Sequence, residues 1–213
     1  MGAYLIADAA HPIGLVAGGA APSPVPYADI VCATTHKVLR GPRGGMLLCG
    51  AELAERVDRA VFPFTQGGAQ MHTIAAKAVA FGEAARPAFA TYAHRVVANA
   101  RTLAAELEDH GCVITTGGTD THMITADPSA LGVDGAAARG RLAAAGIVLD
   151  TCVLPYGDRR GVRLGTAAVT TQGMGEPQMR RIAELLIAAL RGDTAGTRTE
   201  VGELTAGFPP YGE

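Results

Sequence analysis

Short apolar runs alternate with polar turns along the first 87 residues, and this pattern predicts a mixed α/β unit. Three runs have the length of strands and lie at 3–7, 28–34 and 45–49. Two helices are predicted, one at 51–60, where charges alternate, and one at 72–85, where small residues dominate. Less regular chain is expected in a small-residue segment at 14–19, a connector with three prolines at 22–26 and a loop at 62–68.

A second α/β unit is predicted from residue 88 to the end of the chain. Helical spacing runs from 91 to 110, where Gly111 is a natural C-terminal cap. Further helices are expected at 134–145, with Asp134 as N-cap, and at 177–190, and strands at 112–116, 122–127, 147–149 and 162–165. Gly and Thr dominate the tail, so a mobile segment is expected at about 192–205. The pattern therefore predicts two domains, 1–87 and 88–213.

Composition narrows the class of protein. Of 213 residues, 48% are hydrophobic, which is ample for a core, and the net charge of −2 without a basic block argues against a nucleic-acid surface. Four widely spaced cysteines form neither a zinc signature nor a disulfide framework, as expected in a reducing compartment. The N-terminus lacks the basic n-region and the long apolar h-region of a secretory signal, so we expect none, and no apolar run approaches the ~20 residues that span a bilayer. We expect a soluble, cytoplasmic protein without a metal site.

Two polar sites interrupt the apolar runs of the first unit. Asp8 ends the first predicted strand, and Lys37 lies between the second strand and the glycine-rich turn 41–45. A lysine amine can condense with the aldehyde of pyridoxal phosphate, and an acid can keep the pyridinium nitrogen of the same ring protonated. This pairing predicts a pyridoxal-phosphate site. The alternatives are a solvated lysine and an Asp8 that caps the next segment.

Several longer motifs carry a family resemblance. They are DAAHPIGLVAGG, TTHKVLRGPRGG, FPFTQGGAQMHTIAAKAVAF, GGTDTH and GVRLGTAAVT. In these motifs the chain resembles serine hydroxymethyltransferases, which are fold-type I pyridoxal-phosphate enzymes, and the resemblance runs from residue 3 to Tyr211. It implies part of the large domain of that fold, with a mostly parallel sheet, followed by the small C-terminal α/β domain.

The resemblance implies roles around the cofactor ring. Lys37 would form the Schiff base, while His36 and Thr34 would support this lysine and its proton transfers. Asp8 would pair with the pyridine nitrogen, and His11 would lie near the phenolic oxygen. Both histidines could instead be satisfied core residues.

Further roles concern the phosphate and the substrate. Arg43 would line the lysine turn, and Gly67 and Gly68 would reach the cofactor phosphate of a neighbouring subunit through backbone N–H groups. Arg163 would clamp the α-carboxylate of a small amino-acid substrate, which suits a guanidinium fork. The glycine pair could instead be a plain turn, and Arg163 a surface ion-pair former.

The resemblance covers only the second half of the family pattern. A sheet that starts at residue 3 leaves strand edges and apolar faces open, so we expect a separate polypeptide to supply the N-terminal half, in a pair of heterodimers. Departures such as Tyr156, Arg160 and Thr171 cluster on the substrate and folate side. They indicate retained pyridoxal chemistry and put the use of tetrahydrofolate in question.

The implied reaction cleaves or forms the Cα–Cβ bond of a β-hydroxy amino acid, by hydroxymethyl transfer or as an aldolase or transaldolase. The competing hypothesis is a degenerate, non-catalytic scaffold or regulatory subunit. The retention of Lys37, Asp8 and Arg163 argues against that alternative.

Overall fold

The computed structural model describes residues 2–210, so Tyr211, the expected end of the family resemblance, lies outside the described residues. The chain divides into two compact units between His94 and Arg95. We refer to residues 2–94 as the first unit and to residues 95–210 as the second unit. Each contains its own sheet and its own helices, which confirms the mixed α/β class.

The first unit consists of three strands and the helices that follow them. The strands are β1 (Ile6–Asp8), β2 (Ile30–Thr34) and β3 (Gly45–Cys49). The helices are α1 (Ile13–Ala17), α2 (Ala51–Arg59) and α3 (Met71–Ala84), and α4 (Pro87–Asp109) begins in this unit.

The sheet of the first unit has the order β1-β2-β3. β1 and β2 run parallel, with Asp8 opposite Cys32, whereas β3 runs antiparallel to β2. Val31 and Ala33 point into the core, together with Leu15 from α1. The alternation of buried and half-buried positions along β2 is the period of two that a strand requires.

Much apolar surface of the first unit remains uncovered. The outer strands β1 and β3 both expose apolar side chains, and Ile6 is 61% exposed although it lies within a strand. Phe64, just beyond α2, is 85% exposed. The large apolar side chains exposed in this unit are Tyr4, Leu5, Ile6, Val25, Tyr27, Leu47, Leu48, Phe62, Phe64, Met71, Ile74, Val79 and Phe81. A patch of this extent is typical of a surface that another protein segment covers.

The second unit is an antiparallel sheet packed against helices. Its strands are β4 (Val113–Ile114), β5 (Met123–Asp127), β6 (Asp150–Val153) and β7 (Arg160–Gly165), in the order β4-β5-β7-β6. Its helices are the rest of α4, α5 (Gly135–Ala144), α6 (Ala167–Thr171), α7 (Glu176–Leu190) and α8 (Thr194–Ala206).

One face of this second sheet forms a continuous core. Ile124, Ala126 and Val162 from the strands pack with Leu142 of α5 and Leu186 of α7. The other face carries polar residues, because successive side chains of a strand point to opposite sides. Arg163, which is exposed, therefore lies on the outer face.

Local capping explains where the helices of the second unit begin. The carboxylate of Asp134 accepts a hydrogen bond from the Ala137 N–H at 2.7 Å, so its prediction as an N-cap is confirmed. At α7 the side chain of Gln178 accepts a hydrogen bond from the Gly175 N–H at 2.9 Å. Among residues 2–210, none of the helices combines the length and the apolar character that crossing a membrane would require.

The expected mobile segment at 192–205 is instead largely the helix α8. The Asp193 carboxylate accepts a hydrogen bond from the Gly196 N–H at 3.0 Å and caps the first turn. Thr205 donates its hydroxyl hydrogen bond to the Val201 carbonyl at 2.8 Å. The expectation was wrong because Gly and Thr have low intrinsic helix propensity, whereas capping and tertiary packing decide the outcome here.

Three further local expectations were wrong. The loose segment at 14–19 contains the short helix α1, and the loop at 62–68 begins with an irregular helical turn, Ala60–Thr65. The apolar run 147–149 is not a strand, and Val148 is 95% exposed. The strand begins at Asp150 instead, because residues Asp150–Val153 (β6) pair with β7.

Candidate active site

Asp8 and Lys37 follow two neighbouring parallel strands. Asp8 is the last residue of β1 and lies opposite Cys32, whereas β2 ends at Thr34 and Lys37 comes three residues later. Because β1 and β2 are parallel, their carboxyl ends lie at the same edge of the sheet. The fold therefore brings the acid and the lysine to one edge, where ligands of open α/β sheets commonly bind.

Asp8 is exposed at this edge and does not cap α1. The N-cap of that helix is Pro12, without any side-chain hydrogen bond. One carboxylate oxygen of Asp8 accepts a hydrogen bond from the Ala10 N–H at 2.9 Å, which fixes the turn after β1. The capping alternative for Asp8 was wrong, and its role toward a cofactor stays a prediction.

Residues 35–44, which we call the lysine turn, are held together by Thr35. This threonine is fully buried, and its hydroxyl donates a hydrogen bond to the Pro42 carbonyl at 2.6 Å. Its backbone N–H donates to the Gly44 carbonyl at 3.0 Å, and its carbonyl accepts from the Gly41 N–H at 2.7 Å. Lys37 thus projects from a closed loop whose ends are tied together.

The lysine turn also packs tightly against α1. Val38 and Leu39 are buried, and a Cβ added to Gly14 would lie 2.5 Å from the Leu39 nitrogen. Only glycine allows the helix to approach the turn this closely. The turn that carries Lys37 therefore packs directly on α1, and there is no room for a side chain at position 14.

Arg40 anchors the far side of the lysine turn. Its φ of 59° is in the left-handed region, which is unusual for a residue with a side chain. Its N–H donates to the Lys37 carbonyl at 2.9 Å, and its guanidinium carbon lies 4.1 Å from the Tyr92 ring centroid and 5.6 Å from that of Phe89. The cation–π contacts offset part of the cost of this backbone conformation.

Three other polar residues of the predicted site lie at the carboxyl ends of β1 and β2 or in the turns that follow. Thr34 donates its hydroxyl hydrogen bond to the Ala10 carbonyl at 2.9 Å and so links the end of β2 to the turn after β1. The Nδ1 atom of His36 is buried and has no hydrogen-bond partner within residues 2–210. Buried polar atoms are rarely left without a partner, so this atom is suited to a ligand or to a further protein segment. His11 is half-buried in the turn after β1.

Gly67 and Gly68 are exposed, and the chain itself does not require glycine at either position. A Cβ added to either would meet no atom within 4 Å, and neither has a positive φ. Both line a cleft of about 1150 Å³ beside β3 and α3. Residues 2–210 therefore give no reason for glycine at either position. Arg43 is also exposed, on the lysine turn.

Arg163 lies in β7, the strand between β5 and β6. Its direct neighbours across the sheet are Thr125 in β5 and Asp150 in β6. The guanidinium nitrogen Nη2 lies 3.7 Å from Oδ2 of Asp150, and both side chains are partly exposed. The ion pair that the sequence left as an alternative is therefore present.

A groove of about 760 Å³ covers part of the same outer face of the second sheet. Its floor includes Thr125 and Cys152, which share the face of Arg163 by strand register, and its rim includes the threonine-rich loop 115–121. Arg101, on the rim, pairs with Asp120 at 2.7 Å. Arg163 thus shares one face of the sheet with an open groove of mixed polar and apolar lining.

Comparison with known proteins decides the family. The family model for serine hydroxymethyltransferase matches residues 1–186. The chain belongs to the serine hydroxymethyltransferase family. It is 48% identical over 222 residues to "Serine hydroxymethyltransferase" of Acidobacterium capsulatum, and the match covers 100% of this chain and 52% of that relative.

Two more relatives give the same picture. The chain is 50% identical over 226 residues to "Serine hydroxymethyltransferase 1" of Rhodospirillum rubrum and 48% identical over 226 residues to "Serine hydroxymethyltransferase 2" of Rhodopseudomonas palustris. Each match covers 99% of this chain and 52% of the relative. The chain thus spans about half the length of the curated relatives that it matches, and it corresponds to their C-terminal half.

In this serine hydroxymethyltransferase family member, two residues that hold the lysine turn in place were not predicted from the sequence. Thr35 is the centre of the lysine turn, and Arg40 stacks on an aromatic ring of α4. The only sequence signal for Thr35 was the pair of threonines before His36. Nothing in the sequence marks Arg40, because its stacking joins residues 52 positions apart.

Proposed function

We propose that the chain is the C-terminal part of a pyridoxal-phosphate enzyme that cleaves or forms the Cα–Cβ bond of a β-hydroxy amino acid. The observation that carries this proposal is the placement of Asp8 and Lys37 after two neighbouring parallel strands. Family membership supports it as well, since the relatives carry the name of serine hydroxymethyltransferases.

The residues at this edge fit pyridoxal phosphate. Lys37 would hold the cofactor through its amine, and Asp8, which is exposed, would face the pyridine nitrogen. The buried Nδ1 of His36 lacks a partner within the described residues and suits an added polar group. When bound, the cofactor supplies an electron sink for the bond that is cleaved at Cα.

The chain's own residues then position the substrate and move protons. Arg163 binds the α-carboxylate through its guanidinium fork. Breaking the Cα–Cβ bond releases an aldehyde as the β-hydroxyl loses its proton, and Cα takes up a proton to give glycine. Lys37 is suited to carry such a proton, and Thr34 and His36 hold the neighbouring chain in place.

We further propose that a second polypeptide supplies the N-terminal half of the fold. The support is the apolar surface of the first unit, which includes Ile6 in β1 and Leu47 in β3. In this assembly Gly67 and Gly68 would reach the cofactor phosphate of a neighbouring subunit, and both are exposed and unhindered by residues 2–210. The assembly would then be a pair of heterodimers.

The cofactor proposal is tested by trapping pyridoxal phosphate on the protein with borohydride. The chain contains only two lysines, Lys37 and Lys77, so peptide mass spectrometry can assign the label without ambiguity. We expect the label on Lys37, its loss in Lys37→Ala and its retention in Lys77→Ala. Lys77 is a matched control, since its amine donates to the Gly45 carbonyl at 2.8 Å. Labelling of Lys77 alone would overturn the proposal.

The partner proposal is tested by co-expression with the N-terminal portion of the R. rubrum relative that precedes the matched region. We expect the two chains to co-purify and the visible absorbance of bound cofactor to be stronger than for the chain alone. Equal absorbance in the isolated, monomeric chain would overturn it. Assays of serine and threonine cleavage with and without tetrahydrofolate then separate hydroxymethyl transfer from an aldolase or transaldolase activity.

A further inference from the structure

Arg163 has a carboxylate partner within its own sheet. Asp150 lies directly opposite it on the neighbouring strand, and Oδ2 of Asp150 is 3.7 Å from the guanidinium. The other oxygen of Asp150 accepts a hydrogen bond from the Thr151 N–H at 2.8 Å, which orients the carboxylate. The guanidinium therefore faces an anion that belongs to its own chain.

We propose that Asp150 is a specificity-determining residue that competes with substrate carboxylates for Arg163. This inference rests on the proposed role of Arg163 as the substrate clamp. The Asp150 carboxylate is chemically the same group as an amino acid's α-carboxylate, and it is held beside the guanidinium by the strand register. An incoming carboxylate must therefore displace it or share the guanidinium with it.

The charge at this site determines which substrates are favoured. Arg163 and Asp150 together are close to neutral. If only the guanidinium and the carboxylates are counted, one substrate carboxylate brings the sum to −1 and the two carboxylates of a dicarboxylic amino acid bring it to −2. Like charges at close range repel each other. Asp150 thus lowers affinity in general, and it disfavours substrates with a second carboxylate more strongly than those with one.

The expected change in substrate affinity follows from the solvent exposure of Arg163 and Asp150. Both side chains are partly exposed, with relative areas of 42% for Arg163 and 59% for Asp150. Exposed ion pairs contribute about 0.2–1 kcal/mol, so removal of the competitor should tighten the binding of a monocarboxylate by about 1.5- to 5-fold.

Binding is measured by calorimetry on the chain assembled with the N-terminal portion of the R. rubrum relative, with glycine and L-aspartate as probes. For Asp150→Asn we expect tighter binding of glycine, a larger gain for L-aspartate and smaller gains in 1 M salt, where charges are screened. The control Asp158→Asn removes the same charge from the β6–β7 loop and should leave both affinities unchanged. A purely structural role of Asp150 would not produce this dependence on salt and on probe charge.

A second measurement does not depend on the assembled enzyme. In the full chain alone, the nitrogen-15 NMR signal of the Arg163 Nε–H group should shift in Asp150→Asn and stay in place in Asp158→Asn. If Arg163→Lys leaves glycine affinity unchanged, the proposed clamp fails. If Arg163→Lys weakens binding but Asp150→Asn changes neither affinity nor the NMR signal, the clamp stands and the inference about Asp150 is overturned.

Discussion

The hydroxyl of Thr35 donates a hydrogen bond to the carbonyl of Pro42 at 2.6 Å and so closes the turn that presents Lys37. Thr35→Val keeps the shape of the side chain but removes this donor. Because the Pro42 carbonyl then loses its hydroxyl donor inside a closed turn, we expect about 1–3 kcal/mol less stability and weaker borohydride labelling of Lys37. Chemical denaturation and labelling measure the two effects.

The control for this substitution is Thr73→Val in α3. Thr73 lies at a more exposed position, where its hydroxyl makes a long contact of 3.4 Å to Gln70. Its replacement should change stability by no more than about 0.5 kcal/mol. Equal effects at the two positions would contradict the role of Thr35.

Gly14→Ala should destabilise the lysine turn. The added Cβ would lie 2.5 Å from the Leu39 nitrogen and 2.6 Å from the Val38 carbonyl carbon, so backbone atoms must move apart. We expect a loss of about 1–3 kcal/mol in the free energy of unfolding, as for other overpacked sites.

Gly82→Ala in α3 is the matched control. Its Cβ meets no atom within 4 Å, and it should stabilise the helix by about 0.5–1 kcal/mol. A Gly14→Ala protein as stable as the wild type would show that the two segments are not in close contact.

Cys112 should react slowly with alkylating reagents. Burial, and secondarily the negative charge of Asp127, raise its pKa from the ordinary value of 9.0 to about 11. A thiol shifted upward by two units has about 100-fold less thiolate at neutral pH than an unshifted one. Iodoacetamide followed by peptide mass spectrometry should therefore label Cys152, which lines the groove, well before Cys112.

The same shift gives a pH dependence of stability. Below pH 9 the thiol of Cys112 is protonated in both the folded and the unfolded chain, so it contributes no pH dependence. Between pH 9 and 11 the unfolded thiol ionises while the folded one stays protonated. Stability should therefore fall as the pH rises through this window, and Cys112→Ala should fall less steeply. Parallel curves for the two proteins would argue against a raised pKa.

Asp193→Ala should loosen α8. The substitution removes the carboxylate that accepts from the Gly196 N–H at 3.0 Å, and the loss of an N-cap costs about 0.5–2 kcal/mol. Hydrogen exchange should become faster in residues 194–206 and stay unchanged in α7. Unaltered exchange in α8 would mean that packing alone holds the helix.

The strong local signals of the sequence correctly predicted most of the fold. Asp134 marked the start of α5, and β3 lies at the predicted 45–49. The first two strands overlap the predicted 3–7 and 28–34 but begin later, at Ile6 and Ile30. Helix α8 was missed because its Gly and Thr residues have low propensity, and α1 because a five-residue helix is stabilised by its contact with the lysine turn. In β6 the pairing with β7 outweighed the apolar run 147–149.

The candidate site was predictable only in part. The sequence placed Asp8 and Lys37 at strand ends, and the parallel pairing of β1 and β2 then brings them to one edge. The hydrogen bonds of Thr35, the stacking of Arg40 and the partner of Arg163 depend on contacts between distant residues. Such contacts leave no local pattern, and they became visible only with the structure.

The uncovered apolar side chains of the first unit have a consequence for the cell. A copy of this chain without a partner polypeptide would expose Tyr27, Phe64 and the other apolar side chains of this surface to further copies. Such exposed apolar surfaces would tend to associate. Free chain in excess would then be lost to aggregation or proteolysis. Under the proposed assembly with a second polypeptide, the quantity of active protein would be set by whichever half is scarcer, so matched synthesis of the two halves would matter as much as their chemistry.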